Sequence, residues 1–435
     1  MKRKLLLFSL LGLWMQSVAG AGLISETREA KASFTLSGKG DIEVKGSDRY
    51  VTISSWEKNE VEITARVEFK GRQNEKVDEF LDNFEAIVNG SIRKIGNSIW
   101  INTNLDEPNK VEIKNLFKFV VIEYGNDELF ISYEMKVPEN ADLEVENSYE
   151  DLYVTGSYTG RVEIDHYSGD LSAGDFNELE LTLKYGDAEI NSVKSSEMTL
   201  YEQRLNIGSA GNGVIEAKYS DLEFSEAGKI EFDTYETDIK INTIRSVSGE
   251  MKYGELEVSD HAESVRLSKL YENDLEFGDV NELLIRETKY GSVIGKYIGN
   301  LIIDYSYEDK IEVNRCGQFK FDGKYTKIRI DQLEGALSVD EGYETEVTIS
   351  KLNLGVTDIF MDGKYNTLEI NAGDIPLSLD MEVRYAELDY PSNKFKRQTY
   401  IKDGSELKVE LVPITADPDA VIVTVRGYET DVDIE

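Results

Sequence analysis

The sequence predicts an all-β fold, a parallel β-solenoid, from three observations. A tyrosine-led phrase recurs fifteen times from Tyr149 onward at a nearly fixed spacing. Apolar and polar residues alternate with period two on either side of each phrase, the mark of strands with one buried face. The chain is 30% charged and 40% hydrophobic, which suits strands that turn their charged side chains to water and their apolar ones into a narrow core.

The chain divides in order. Lys2, Arg3 and Lys4 precede the apolar run Leu5 to Trp14, and Ala19, Gly20 and Ala21 follow as a small-residue cleavage site, so residues 1–21 read as a signal peptide. The run is too short to span a bilayer. The mature chain is expected in the periplasm or at the cell surface, with no transmembrane segment after cleavage. Losing three cations takes the formal net charge from −36 to −39. So acidic a surface repels phosphate backbones and anionic headgroups, which sets nucleic acid and bare anionic membranes aside as partners. Basic proteins, cell-surface glycans and weakly held divalent cations remain, with no partner specified.

Residues 22–140 are expected to form an N-terminal β-rich cap. Strand alternation is visible in Phe34 and Leu36, Ile42 and Val44, Val51 and Ile53, Val61 and Ile63. Over 74–88 the spacing of Val77, Phe80, Leu81, Phe84, Ile87 and Val88 predicts one amphipathic helix, stopped near Gly90. An open solenoid end exposes unpaired strands, and such a helix can cover it.

Residues 141–390 carry the repeats. The tyrosines are Tyr149, Tyr167, Tyr185, Tyr201, Tyr219, Tyr235, Tyr253, Tyr271, Tyr290, Tyr307, Tyr325, Tyr343, Tyr365 and Tyr385, with Tyr428 beyond. From Tyr149 to Tyr343 the gaps are 18, 18, 16, 18, 16, 18, 18, 19, 17, 18 and 18. In a typical unit Leu179, Leu181 and Leu183 lead to Tyr185, Gly186 and Asp187 turn, and Ala188 and Ile190 resume the alternation. One unit cannot bury its apolar face alone, so neighbours must stack. The number of residues between each tyrosine and the next apolar position alternates, two then three, from Tyr149 through Tyr365. Corners of unequal length are expected to stack poorly. The sequence therefore predicts half-units of about 18 residues and a coil of about 36 residues holding two kinds of corner. Residues 391–435, with Pro391, Pro413, Pro418, Lys394, Lys396 and Arg397, are expected to form a C-terminal β cap protected against edge pairing.

No chemistry-bearing constellation stands out. Stacked Tyr185, Tyr219, Tyr253 and Tyr290 are expected to form a corner ladder, each ring covering the coil below; sugar binding requires exposed ring faces. The corner acids Asp151, Asp170, Asp187, Asp221, Asp238 and Asp274 lack the GGxGxD spacing of calcium-binding solenoids, and Lys310, Thr326 and Lys327 interrupt their row. His166 and His261 stand apart in polar surroundings. Cys316, the single cysteine, excludes an intrachain disulfide and reads as a small corner residue. No phosphate-cradling loop or GxSxG elbow occurs. The expectation is a non-enzyme with no catalytic, cofactor-binding or metal residues.

Val137 and Pro138 followed by Leu143, Val145, Asn147 and Tyr149, and Ser55, Trp56, Glu57 and Lys58 followed by Val61 and Ile63, resemble the secreted adhesin-like DUF4097-type and DUF2807-like proteins of Bacteroidetes. That resemblance implies an exported β-solenoid and no catalytic residues. The function expected is non-enzymatic, adhesin-like binding or display by an extended acidic surface. Two alternatives are a carbohydrate-active enzyme on the same scaffold, whose place would be the 22-residue gap between Tyr343 and Tyr365 with Asp358 and Asp362, and a periplasmic regulatory protein.

Overall fold

The computed structural model describes residues 23–72, 75–105 and 128–435; the expected signal peptide lies outside them. The N-terminal elements are β1 (Leu23–Thr35), β2 (Asp41–Lys45), β3 (Tyr50–Trp56), β4 (Glu60–Arg72), α1 (Glu75–Gly90), β5 (Ile92–Ile95), β6 (Ser98–Asn102), β7 (Glu128–Pro138), β8 (Asp142–Ser148) and β9 (Leu152–Tyr167). They build the starts of two sheets. One runs β1–β4–β7–β3–β9, antiparallel up to β7 and parallel from there. The other runs β5–β6–β2–β8–β9, parallel from β6 inward.

Helix α1 packs against β1 and β5, the outermost strand of each sheet. It buries Val77, Phe80, Leu81, Phe84 and Val88, the stripe that the sequence spacing marks out. The open end of the stack is thereby covered. Parallel coils begin inside this region, since β2 and β3 lie directly beneath β8 and β9.

The repeats continue as β10 (Leu171–Lys218), β11 (Asp221–Tyr235), β12 (Asp238–Ile285), β13 (Thr288–Lys289), β14 (Ser292–Tyr307), β15 (Lys310–Lys324), β16 (Lys327–Leu333), β17 (Leu337–Tyr343), β18 (Glu346–Ile349), β19 (Asp358–Lys364) and β20 (Thr367–Ile370). Each coil has a short strand after the tyrosine, a second corner, and a longer strand leading to the next tyrosine. Leu222 pairs with Leu205 on one side and Ile239 on the other, and Leu275 pairs with Val293. The coil is therefore a single repeat, and the 36-residue coil expected from the alternating corners is not formed.

Inward residues form columns. At the second corner Cys316 sits fully buried between Ile298 and Leu333, and burial pushes its thiol up to about 12. Beside it a Cβ on Gly317 would meet the Gly299 carbonyl oxygen at 2.1 Å, so only glycine lets these coils approach. Behind the tyrosine corner runs a buried polar column that includes Ser220, Thr237, Asn273, Asp309, Thr326, Thr345 and Asn366. These side chains satisfy corner backbone groups: Thr237 Oγ1 donates to the Tyr235 carbonyl at 3.1 Å, and the Tyr271 N–H donates to Asn273 Oδ1 at 2.8 Å. Asp309 accepts from Ser306, Thr288 and the N–H groups of Gly291 and Tyr307, while burial raises its carboxyl above the usual range.

The C-terminal elements are β21 (Leu377–Arg384), β22 (Leu388–Asp389), β23 (Phe395–Asp403), β24 (Glu406–Pro413), β25 (Val421–Tyr428) and β26 (Asp431–Ile434). Only part of this region caps the stack. β24 pairs antiparallel with β21, and β23 with β24, closing the end. β25 pairs in parallel with both β19 and β21, and β26 with both β20 and β22. The expected cap over 391–435 is thus split, because its last strands form a coil inside the stack.

Candidate recognition surface along the tyrosine edge

All fifteen repeat tyrosines fall in one unbroken column. Neighbouring ring centroids lie 5.4–5.7 Å apart from Tyr149 to Tyr365, then through Tyr428 to Tyr385. Interplanar angles of 73–79° along the run, and 60° at its last step, make the packing edge-to-face.

The two corner types explain this packing. In short corners the tyrosine itself adopts a left-handed backbone, with φ of 61° at Tyr185 and 56° at Tyr219. In long corners the next residue does, with φ of 48° at Glu202 and 46° at Glu236. All seventeen non-glycine residues of positive φ among those described lie at this corner, from Leu105 and Asp48 at one end to Glu429 and Tyr385 at the other. Backbone bonds follow the same alternation: the Tyr219 N–H donates to the Tyr235 carbonyl at 3.0 Å, and the Glu236 N–H donates to the Lys252 carbonyl at 2.8 Å. Shifting the left-handed residue by one place turns successive rings nearly perpendicular. Unlike corners therefore stack on one another, the reverse of the sequence expectation.

That one-place shift sets two columns side by side. Tyr235 stands in register between Lys218 and Lys252, Tyr307 between Lys289 and Lys324, and Tyr343 between Lys324 and Lys364. In the adjacent column Tyr219, Tyr253, Tyr290, Tyr325 and Tyr365 alternate with Glu236, Glu272, Glu308 and Glu344, the left-handed residues of the long corners. From Tyr185 onward each coil thus presents one tyrosine and one charge, and the charge changes sign from coil to coil, whereas Ser148 and Ser168 take the charged places at Tyr149 and Tyr167. Among the described residues Lys184, Lys218, Lys252, Lys324 and Lys364 form no ion pair within 4 Å. The neighbouring carboxylates of Glu236 and Glu308 hold the Tyr235 and Tyr307 phenols above their ordinary pKa. Beyond Tyr167 the short-corner tyrosines are the more exposed, Tyr219 at 43% and Tyr290 at 44%.

Sequence reasoning placed Tyr185, Tyr219, Tyr253 and Tyr290 in one ladder; they share a column, but Tyr201, Tyr235 and Tyr271 stand between them, and the charges were missed. The signal was present: Lys184, Lys218, Lys252, Lys289, Lys324, Lys364 and Arg384 each precede a short-corner tyrosine. Other candidates have structural duties. Asp151 accepts from the Asp170 N–H at 3.1 Å, Asp170 from the Asp187 N–H at 3.2 Å and Asp238 from the Glu255 N–H at 3.0 Å. Among the described residues, no three histidine, cysteine, aspartate or glutamate side chains group to hold a metal. His166 is buried, its Nδ1 3.3 Å from the Asn147 carbonyl, and burial lowers its pKa. His261 is half-buried on β12. The long gap before Tyr365 is a lengthened second corner that tucks in Leu352 and Val356. There Asp358 accepts from Thr357 Oγ1, and Asp362 stands in register with Arg426.

No family model matches the chain, and no curated protein matches it. Among solved structures it is similar to the crystal structure of a "putative cell adhesion protein" from Clostridium sporogenes, at 6% identity and a TM-score of 0.17, over 94% of this chain and 99% of that one. A superposition this poor carries no weight for function. No helix among the described residues is long and apolar enough to cross a membrane.

Proposed function

We propose that the tyrosine edge is a non-catalytic recognition surface for a linear polysaccharide, borne by an exported, adhesin-like protein. The alternation of tyrosine–lysine and tyrosine–glutamate coils carries this reading. Each tyrosine offers an apolar ring and a hydroxyl, and the flanking charges supply donors and acceptors of opposite kind. The pattern repeats every two coils, about 9.6 Å at ~4.8 Å per strand, a length comparable to two extended sugar residues. Single contacts of this sort are weak and sum along a rigid stack. The leader-like N-terminus and the resemblance to secreted adhesin-like proteins support export.

A glycan array with the mature protein, followed by a length series of any linear glycan bound, tests the reading. Affinity is expected to climb with chain length and to drop at least tenfold in a Tyr219→Ser, Tyr253→Ser, Tyr290→Ser variant that stays folded. Binding to no linear glycan, or binding indifferent to those substitutions, overturns it.

A further inference from the structure

The path of the chain at the C-terminal end is independent of the tyrosine edge's ligand. After β20 the chain does not lay its next coil on the one just completed. It places β21 and β22 one coil further on, builds the β23–β24 hairpin against β21, and returns as β25 and β26 to fill the space left open. Among the described repeat coils this is the one place where the order of tyrosines in space departs from their order in sequence.

The corner rule makes that space selective. Tyr365 and Tyr385 both carry short corners, with φ of 61° and 53°, so two unlike neighbours form only if a long corner comes between them. Tyr428 and Glu429 supply it, with φ of 48° at Glu429. The Tyr365 N–H donates to the Tyr428 carbonyl at 2.8 Å, and the Glu429 N–H donates to the Arg384 carbonyl at 2.7 Å. Arg426 adds a side-chain clasp, with Nη2 2.5 Å from Asp380 Oδ2. These contacts are backbone ladders plus one ion pair, and an identical segment from another molecule satisfies them equally.

What ties β25 to its own molecule is the segment 414–420, whose residues are exposed through Asp419 and which carries Pro418. Its internal contacts are local: the Asp419 N–H donates to Asp417 Oδ1 at 2.9 Å. Seven residues reach at most ~25 Å when extended, enough to cross to an adjoining copy. Exchange of an identical element through such a hinge costs little, because every native contact is remade.

We propose that β25–β26 is an exchangeable coil, and that the space between β19–β20 and β21–β22 accepts the same segment of a second copy, joining two molecules reciprocally. The partner is this chain itself, and the mode is strand addition within a sheet.

Shortening the hinge in the full chain tests this. Deleting residues 415–420 leaves one residue to cross the two strand spacings, ~9.6 Å, that separate β24 from β25 on either side of β21, too few to turn back into its own molecule, while β25 can still run on to a neighbour. The variant is expected to elute at twice the monomer mass with native strand content, and a six-residue Gly-Ser insertion after Asp417 to remain monomeric. As a second readout, light and heavy-isotope copies of the unaltered chain, unfolded and refolded together at high concentration, are expected to give mixed dimers by native mass spectrometry; the same copies mixed while folded are expected to give at least tenfold fewer. A folded, monomeric deletion variant overturns the proposal. If that variant does not fold, absence of mixed dimers after joint refolding overturns it instead.

Discussion

Lys364 pairs in register with Tyr428, and Tyr428 pairs in turn with Arg384, so the last repeat tyrosine of the sequence occupies the coil between Tyr365 and Tyr385. Short and long corners alternate through this insertion as they do elsewhere. The alternation is a rule about neighbours in space, and the sequence displays it only where the chain advances one coil at a time.

Deleting Glu429 tests the rule locally. The deletion turns a long corner into a short one and places three short corners in succession, which misdirects the Tyr428 ring. Stability is expected to fall by roughly 1–3 kcal/mol. Hydrogen-exchange mass spectrometry should show lost protection in β21, β22, β25 and β26, with β11 unchanged.

Left-handed glutamates carry a conformational cost that glycine avoids. Glu236→Gly removes the Cβ clash but loosens the unfolded chain, so the net change is expected to lie between zero and a gain of about 1 kcal/mol. Glu236→Val, branched at Cβ, is expected to lose about 1–2 kcal/mol. Denaturant melts of the two variants check the order.

Ring packing and hydroxyl chemistry separate at Tyr253, which touches Tyr235 and Tyr271 edge-to-face at 5.4 Å. Tyr253→Phe keeps both contacts and is expected to leave the melting midpoint nearly unchanged. Tyr253→Ala removes both and is expected to cost about 1–3 kcal/mol. A midpoint equally low in both variants contradicts a packing role.

His166 gives a pH dependence of definite sign. Burial lowers its folded pKa below the ordinary 6.5, so the unfolded chain takes up a proton that the folded one refuses. Its contribution to stability is fully present above the unfolded value and is lost as pH falls below it. Leu200 and Leu270 occupy the same place before their long-corner tyrosines. His166→Leu is therefore expected to match the unaltered protein at pH 8 and to flatten its decline between pH 7 and pH 5, as followed by melts across that range.

Much of this architecture was legible in the sequence, for stated reasons. The period-two alternation of Leu179, Leu181 and Leu183 reports burial directly, and the stripe from Val77 to Val88 reports a helix, because both depend on side-chain spacing alone. Coil length was not legible. The difference between Tyr219 and Tyr235 corners was visible, but its consequence depends on which residue turns left-handed and how two rings then meet. The charged column was legible in principle, from lysine before Tyr185, Tyr219 and Tyr253 and glutamate after Tyr201, Tyr235 and Tyr271. The place of Tyr428 was not, since Tyr365 and Tyr385 look consecutive until pairing shows that they are separated. Sequence order gives no distance between strands that skip a coil.

Ring-to-ring nuclear Overhauser contacts in a sample with selectively labelled tyrosines decide whether unlike corners stack in a single column. Cross-peaks linking Tyr365 to Tyr428 and Tyr428 to Tyr385, with none directly between Tyr365 and Tyr385, are the result predicted. A direct Tyr365–Tyr385 contact with Tyr428 elsewhere would contradict it.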